Sequence, residues 1–212
     1  MTIQYVLRQG GDELKKMKNG FPPLAEKTAT ILILGTMPGE ESLRKNEYYA
    51  HPGNAFWRIM ASLFGFQPSV DYAEKTRILL ENRIAVWDVM KSCEREGSLD
   101  SRIKNDTIIE NDFSSLFCKC PDIRNVYFNG ARAEQEYLKR VLPQLPETKQ
   151  DIQLDRLPST SPAMARLSLD DKILAWSKII KTAPSLCSVT CAENDVGKVE
   201  NCGKGSFINN LV

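Results

Sequence analysis

The sequence predicts an α/β domain with a parallel sheet and helices on both of its faces. Three observations carry this expectation. Apolar runs of strand length, at 30–34, 84–87, 124–128 and 152–157, alternate with segments whose apolar residues recur at helical spacing. The first run, Thr30-Ile31-Leu32-Ile33-Leu34, is continuous rather than alternating, as in a strand covered on both faces. Small-residue or polar turns follow the strands, at the carboxyl ends where open α/β sheets take their ligands.

Residues 1–20 are polar and Lys-rich with a short amphipathic stretch around Leu14 and Met17, and are expected to form an appended helix or arm. Gly20-Phe21-Pro22-Pro23 punctuates the entry to the main domain, 21–182. After the first strand, Phe56, Trp57, Ile59, Met60, Leu63 and Phe64 keep helical spacing up to Gly65, and Ala73, Ile78 and Leu79 mark a second helix within 71–82. Ile84-Ala85-Val86-Trp87 is the second strand. A long polar loop with Gly97-Ser98-Leu99-Asp100 follows, then a helix near 111–118 and the third strand, Arg124 to Phe128. Asn129-Gly130 could turn a hairpin, but Ala133, Tyr137, Leu138 and Val141 favour a helix over 131–142. The fourth strand is Ile152 to Leu157, and Ile173, Leu174, Trp176, Ile179 and Ile180 predict a last amphipathic helix over 168–181. Beyond Ala183 the periodicity collapses, so 183–212 reads as a flexible tail.

At 212 residues with 42% hydrophobic content the chain can bury a substantial core. It holds no run of roughly 20 apolar residues and no basic-then-apolar leader, so an intracellular protein is expected, cytoplasmic or, in a eukaryote, nuclear. A net charge of +1 argues against a bulk polyelectrolyte binder but leaves room for a local basic strip. Six cysteines, Cys93, Cys118, Cys120, Cys187, Cys191 and Cys202, include no C-x-x-C pair, which favours reduced structural thiols over a metal centre. A zinc or iron–sulfur site on Cys187, Cys191 and Cys202 with Cys118 or Cys120 is the metal alternative.

Three segments read as the lining of one cleft: Gly35-Thr36-Met37-Pro38-Gly39, Tyr48-Tyr49-Ala50-His51-Pro52-Gly53-Asn54-Ala55-Phe56-Trp57, and Leu157-Pro158-Ser159-Thr160-Ser161-Pro162. Exposed turn amides collect there, which suits an anionic, ring-bearing ligand such as a nucleotide.

With Ser42-Leu43, Val86-Trp87-Asp88-Val89, Cys93 to Asp100, Phe128-Asn129-Gly130 and Ala163, these segments form an ordered set. The set resembles the hypoxanthine-DNA glycosylase branch of the uracil-DNA glycosylase superfamily over roughly residues 20–181. The resemblance implies a three-layer α/β/α sandwich around a four-stranded parallel sheet. It also implies a monofunctional enzyme that hydrolyses the N-glycosidic bond of a deaminated base in damaged DNA, with neither metal nor cofactor nor lyase lysine. Hypoxanthine, uracil and xanthine are the candidate bases, and a monomer with no membrane partner is expected. A non-catalytic lesion sensor on the same fold is the alternative, motivated by Met37 and Met164.

Much of the superfamily positions the attacking water with Asp or Asn directly before the first-motif proline. Met37 stands there in this chain, and a thioether cannot do it. In the hypoxanthine branch the critical role falls on the Asn of Pro-x-Asn-x-Phe-Trp, here Asn54, whose amide can accept from water and donate to a base. The competing reading is that Asn54 caps the helix that follows. His51, the single histidine, could donate to a purine acceptor or a phosphate or be an ordinary loop residue. Tyr48 or Tyr49 could stack on an extruded ring, or one could sit in the core and one in solvent. Gly35, Thr36, Met37, Pro38 and Gly39 would line the base or sugar. Ser159, Thr160 and Ser161 would grip phosphates, unless they form a plain turn. Asn129 contacts the base edge or stabilises its turn. Asp88 is read as structural, because a carboxylate would repel phosphates. Met164, where the family usually has Asn, is either an apolar wedge or a core residue.

Overall fold

The computed structural model describes residues 17–149 and 151–182. Its elements are β1 (Met17–Asn19), β2 (Ile31–Gly35), α1 (Glu40–Lys45), α2 (Phe56–Phe64), α3 (Tyr72–Glu81), β3 (Ile84–Asp88), β4 (Met90–Glu94), β5 (Ile109–Glu110), α4 (Phe113–Lys119), β6 (Asn125–Asn129), α5 (Ala131–Glu136), β7 (Gln153–Leu157), α6 (Leu169–Trp176) and α7 (Lys178–Thr182).

Four strands pair in parallel in the order β3-β2-β6-β7. Every residue of β2 and β3 is buried, which is why their sequences lack alternation. The crossover from β2 to β3 runs the opposite way along the sheet from that between β6 and β7. Right-handed crossovers therefore put α1–α3 on one face and α5 on the other. Ring contacts agree with this: Phe56 of α2 meets Trp176 of α6 at 5.9 Å, while Phe113 of α4 meets Tyr137 beyond α5 at 5.4 Å. The result is the expected α/β/α sandwich.

Helix starts follow local chemistry. Asp71 accepts the Glu74 N–H at 2.7 Å and Asp112 the Ser115 N–H at 2.9 Å, and Ser168 with Asp171 forms a reciprocal capping box. The helix expected over 168–181 breaks at Ser177, whose hydroxyl donates to Leu174 O at 2.7 Å. Leu174 and Ile180, placed on its apolar face by spacing, are 75% and 44% exposed. The helix expected over 131–142 widens into a π turn at Tyr137–Val141 and tightens at Leu142–Gln144 around Pro143.

Two features were not anticipated. The short α1 follows directly on Gly39. A second, antiparallel sheet of order β1-β4-β5 stands where a polar loop was expected, with its own small core of Met37, Met90, Cys93, Ile103 and Ile108. Met17–Asn19 is thus a strand paired to β4 rather than part of a helix. Leu14 and the tail at 183–212 lie outside the described residues.

Candidate active site

Three of the four strands of the parallel sheet, β2, β3 and β6, end on a residue of the site. Gly35 closes β2 and sits opposite Asp88 at the end of β3, and Asn129 closes β6 opposite Leu157 at the end of β7. Above these ends lies a cavity of about 700 Å³. It is lined by Gly35–Gly39, Tyr48, Tyr49, His51, Asn54, Asn129, Ser159–Ser161 and Met164, so the structure brings together every residue the sequence nominated. Asp88 and Asp100 line it too. A Cβ at Gly35 would stand 2.3 Å from Asp88 Oδ1, so any other residue there would displace that carboxyl.

The two tyrosines part company. Tyr48 is a core residue whose hydroxyl donates to Pro22 O at 3.1 Å and whose ring meets Phe21 edge-on. Tyr49 holds a left-handed backbone, φ 55°, and lies stacked on Phe56 at 3.9 Å. Its hydroxyl is buried beside the Asn129 side chain. Burial raises both phenols far above their ordinary range, so both are neutral donors at physiological pH. Asn54 serves the helix and the cavity at once. Its Oδ1 accepts the Phe56 N–H at 3.0 Å, yet a carbonyl oxygen keeps a second lone pair, and the residue lines the cavity. His51 Nδ1 accepts the Gly53 N–H at 3.0 Å, which puts the ring proton on Nε2.

The Ser/Thr loop is laced from beneath. Asn129 donates through Nδ2 to Thr160 Oγ1 and accepts the Thr160 N–H at Oδ1, both at 2.8 Å. Thr160 O in turn accepts the Ala55 N–H at 2.9 Å, tying this loop to the Asn54 loop. Thr160 is 1% exposed and its hydroxyl already accepts from Asn129, so the Asn129 amide holds the turn. Ser159 and Ser161 hydroxyls accept the Ser161 and Ala163 N–H groups in local turns. Gly130, at φ +98°, allows Ser159 to approach where a Cβ would come within 2.9 Å of its own. Met164 is 39% exposed at the cavity mouth, which removes the core reading.

The charged side of the cavity was largely missed. Asp88 is buried, its Oδ2 has no partner, and burial reinforced by Asp100 raises its carboxyl from 3.8 to about 7 against the opposing pull of Arg95. An acid that is half neutral near pH 7 does not repel phosphate as a full charge does, so the reason for reading Asp88 as purely structural fails. Burial also pushes the Asp100 carboxyl up, against Thr36 and Arg95. The Arg95 side chain is fully buried. It donates to Met37 O at 3.3 Å and to Pro38 O, and stands 3.5 Å from Asp100. Arg95 thus fixes the turn after β2 by its carbonyls. Its sequence signal was weak: one charge among Glu94, Glu96 and Asp100 looks like a solvated loop. Met37 buries its thioether in the small core, consistent with its unfitness to hold water.

Acids at the mouth are neutralised in place. Glu40 pairs with Lys18 at 3.1 Å, and Glu41 with Arg44 at 2.6 Å and Lys45 at 3.3 Å. The Arg44 hydrogen bond holds the Glu41 carboxyl down at about 2. Among the described residues Cys93 and Cys120 are buried free thiols and Cys118 an exposed one, and no cluster of metal-type ligands occurs. Cys187, Cys191 and Cys202 lie outside the described residues. No helix among the described residues is long and apolar enough to cross a membrane.

Comparison with known proteins agrees with this geometry. The family model described as the uracil DNA glycosylase superfamily matches residues 22–180. A protein of Methanosarcina barkeri named hypoxanthine DNA glycosylase is 38% identical over 166 residues, 77% of this chain and 98% of the relative. One of the same name from Methanosarcina acetivorans is 43% identical over 154 residues, 72% of this chain and 91% of the relative. The solution NMR structure of a candidate uracil DNA glycosylase from Methanosarcina acetivorans superposes with a TM-score of 0.62 at 36% identity, over 77% of this chain and 99% of that one. A match spanning both walls of the cavity, on a sheet whose strand ends build it, means that the chain belongs to the uracil DNA glycosylase superfamily.

Proposed function

We propose that the chain is a monofunctional DNA repair glycosylase that hydrolyses the N-glycosidic bond of a deaminated base, hypoxanthine in deoxyinosine above all, and leaves an abasic site. The observation that carries this reading is a single cavity in which the Asn54 amide, the Tyr49 ring and the Asp88 carboxyl stand around the turn after β2. The names and the near-full-length coverage of the two archaeal relatives support the choice of base. Uracil and xanthine present the same lactam edge and are expected as weaker substrates.

A base inside a duplex must first be extruded, at a cost of a few kcal/mol. Tyr49, held rigid by Phe56, offers it an aromatic face worth about 1–3 kcal/mol. As the bond from C1′ to the base breaks, its electron pair goes to the ring and positive charge develops on the sugar. Asn54 Oδ1 accepts an O–H of the water whose oxygen bonds to C1′, and the water's proton passes to solvent or to the departing base. An oxocarbenium ion is electrophilic enough that positioning suffices in place of a strong base. The Tyr49 hydroxyl and the neutral form of Asp88 can donate to the base as negative charge collects on it. The protein is proposed to act as a monomer on damaged DNA inside the cell.

Incubation with an inosine-containing oligonucleotide followed by alkali tests this. Strand scission at the lesion is expected, and loss of it in Asn54→Ala. Intact inosine DNA that is nonetheless retarded in a gel would replace the enzyme with a lesion-binding protein, and an Asn54→Ala protein as active as wild type would remove the catalytic assignment.

A further inference from the structure

Lys172 of α6 and Arg58 of α2 are neighbouring cations with no acid between them. Lys172 is only 6% exposed, and its ammonium donates to the Met164 carbonyl at 2.8 Å. A carbonyl takes one of its three N–H bonds and none of its charge. Burial, reinforced by the Arg58 guanidinium, pushes this ammonium below its ordinary range. Packing brings the two together, since Phe56 of α2 meets Trp176 of α6 edge-on at 5.9 Å. The carboxylates around them are turned elsewhere. Asp171, beside Lys172 in the chain, accepts from the Ser168 hydroxyl at 2.6 Å to cap α6, and Asp155 pairs with Lys178. On α1 and α3, Glu41 holds Arg44 and Lys45, and Glu74 and Glu81 hold Arg77. Among the described residues neither Arg58 nor Lys172 forms an ion pair.

Both cations belong to one wall of the cavity. Met164, whose carbonyl Lys172 holds, lines that cavity, and so does Asn54, about one helical turn before Arg58. The Ala55 N–H donates to Thr160 O at 2.9 Å, which joins the start of α2 to the loop that Lys172 supports from beneath. Arg58 itself is exposed.

Resting on the reading of the protein as one that acts on damaged DNA, we propose that Arg58 binds a backbone phosphate of the strand carrying the extruded nucleotide, with Lys172 adding its charge from beneath the Met164 turn. The exposed guanidinium can take two phosphate oxygens at once, whereas the buried ammonium is a fixed point charge behind it. A phosphodiester at this place converts the repulsion between two cations into attraction to a shared anion, and its condensed counterions are released. The contact carries no base information. It therefore holds the strand in the same way whichever deaminated base is presented.

The test measures affinity across a salt series for a duplex holding 2′-fluorinated deoxyinosine, which resists hydrolysis, with wild type, Arg58→Gln and Lys172→Gln. Arg58→Gln is expected to weaken binding roughly tenfold at low salt and to make the plot of log affinity against log salt shallower by about 1. Lys172→Gln keeps a donor for the Met164 carbonyl and is expected to weaken binding in the same direction. Neutral methylphosphonates, placed one at a time at successive positions flanking the lesion, then locate the contact. One position is expected to cost wild type about as much as Arg58→Gln does, and to cost that variant nothing further. An unchanged salt slope in Arg58→Gln, or losses that add at every position, overturn the proposal, and because Arg58 is exposed its replacement leaves the fold intact. Wild type that shows this coupling but leaves natural inosine uncut would sink the enzyme reading and spare the phosphate contact. Wild type that cuts inosine without the coupling would do the reverse.

Discussion

Two strands of the four-stranded sheet, β2 and β3, are buried along their whole length, whereas the three-stranded sheet beside it mixes buried and exposed residues and leads directly into a buried arginine. The difference is one of task. The parallel sheet fixes where things are: its strand ends hold Gly35, Asp88, Asn129 and Leu157 in register, and the loops above them are laced through Thr160. The antiparallel sheet sets the electrical character of the same cavity, because Arg95 and Asp100 leave it to act on Asp88 and on the carbonyls of Met37 and Pro38. A small, weakly apolar element can carry charge into a cleft because a larger apolar one carries the stability.

The sharpest way to break this division is at Asn54, which belongs to the parallel side. Asn54→Ala removes both the water acceptor and the bond to the Phe56 N–H. Turnover on inosine DNA is expected to fall by about 10²–10³-fold, the scale of losing one preorganised polar group, and stability by about 1 kcal/mol. Asn54→Asp keeps an oxygen for the helix, so its melting temperature should stay near wild type. Turnover that tracked the melting temperature across both variants would reduce Asn54 to a cap.

Arg95 tests the other side. Arg95→Met leaves Asp100 and two turn carbonyls without their partner, at a cost of about 3 kcal/mol by denaturant unfolding. Removing the cation also removes the one influence that lowers Asp88, so its titration should move higher still. A loss below about 1 kcal/mol would mean that the small sheet is held by its apolar cluster alone.

How much of this was legible depended on which sheet a residue served. Thr30–Leu34 announced a doubly covered strand, because burial on two faces leaves only apolar residues to choose from. The cleft turns were readable for a related reason, since each interrupts such a run. The small sheet was not. Strands of two to five residues with a register shift between Met90 and Ser92 never show enough alternation to be seen, and Met17–Asn19 finds its partner more than seventy residues away. The mutual hydrogen bonds of Thr160 and Asn129 were not legible, because hydroxyls and amides look the same in sequence whether they face a phosphate or each other. The charge state of Asp88 was not legible either, because it is a product of burial, which spacing does not encode.

That charge state gives a pH signature. Folding raises the Asp88 carboxyl from 3.8 to about 7, so the native state binds the proton more tightly than the unfolded chain. The stability this contributes is complete below the unfolded value and is lost as pH rises through the native one. Between roughly pH 5 and pH 8 the loss from this group amounts to about 2–3 kcal/mol. Asp88→Asn should flatten that part of a melting-temperature profile and exceed wild type at the alkaline end. Parallel profiles for the two proteins would show that the carboxyl titrates like a solvated one, and the charged wall would lose its central member.

The smallest effect separates the inner and outer surfaces of the antiparallel sheet itself. Ile108 is buried in the second core and its neighbour Ile109 is 52% exposed. Ile108→Ala should cost about 2 kcal/mol, at the lower end for a core truncation because the cluster is small, while Ile109→Ala should stay within about 0.5 kcal/mol. The pair matters because Ile108 precedes β5 and Ile109 begins it, and the residue after β5 ties this sheet beside Asp88, through the Asn111 N–H to Val89 O at 3.0 Å and Asn111 Nδ2 to Asp88 O at 2.8 Å. If Ile108→Ala also moved the pH profile assigned to Asp88, the small core would be setting the position of the acid and not only supporting its own strands. If stability fell with that profile unchanged, position and charge would remain separable, as the contrast between the two sheets requires.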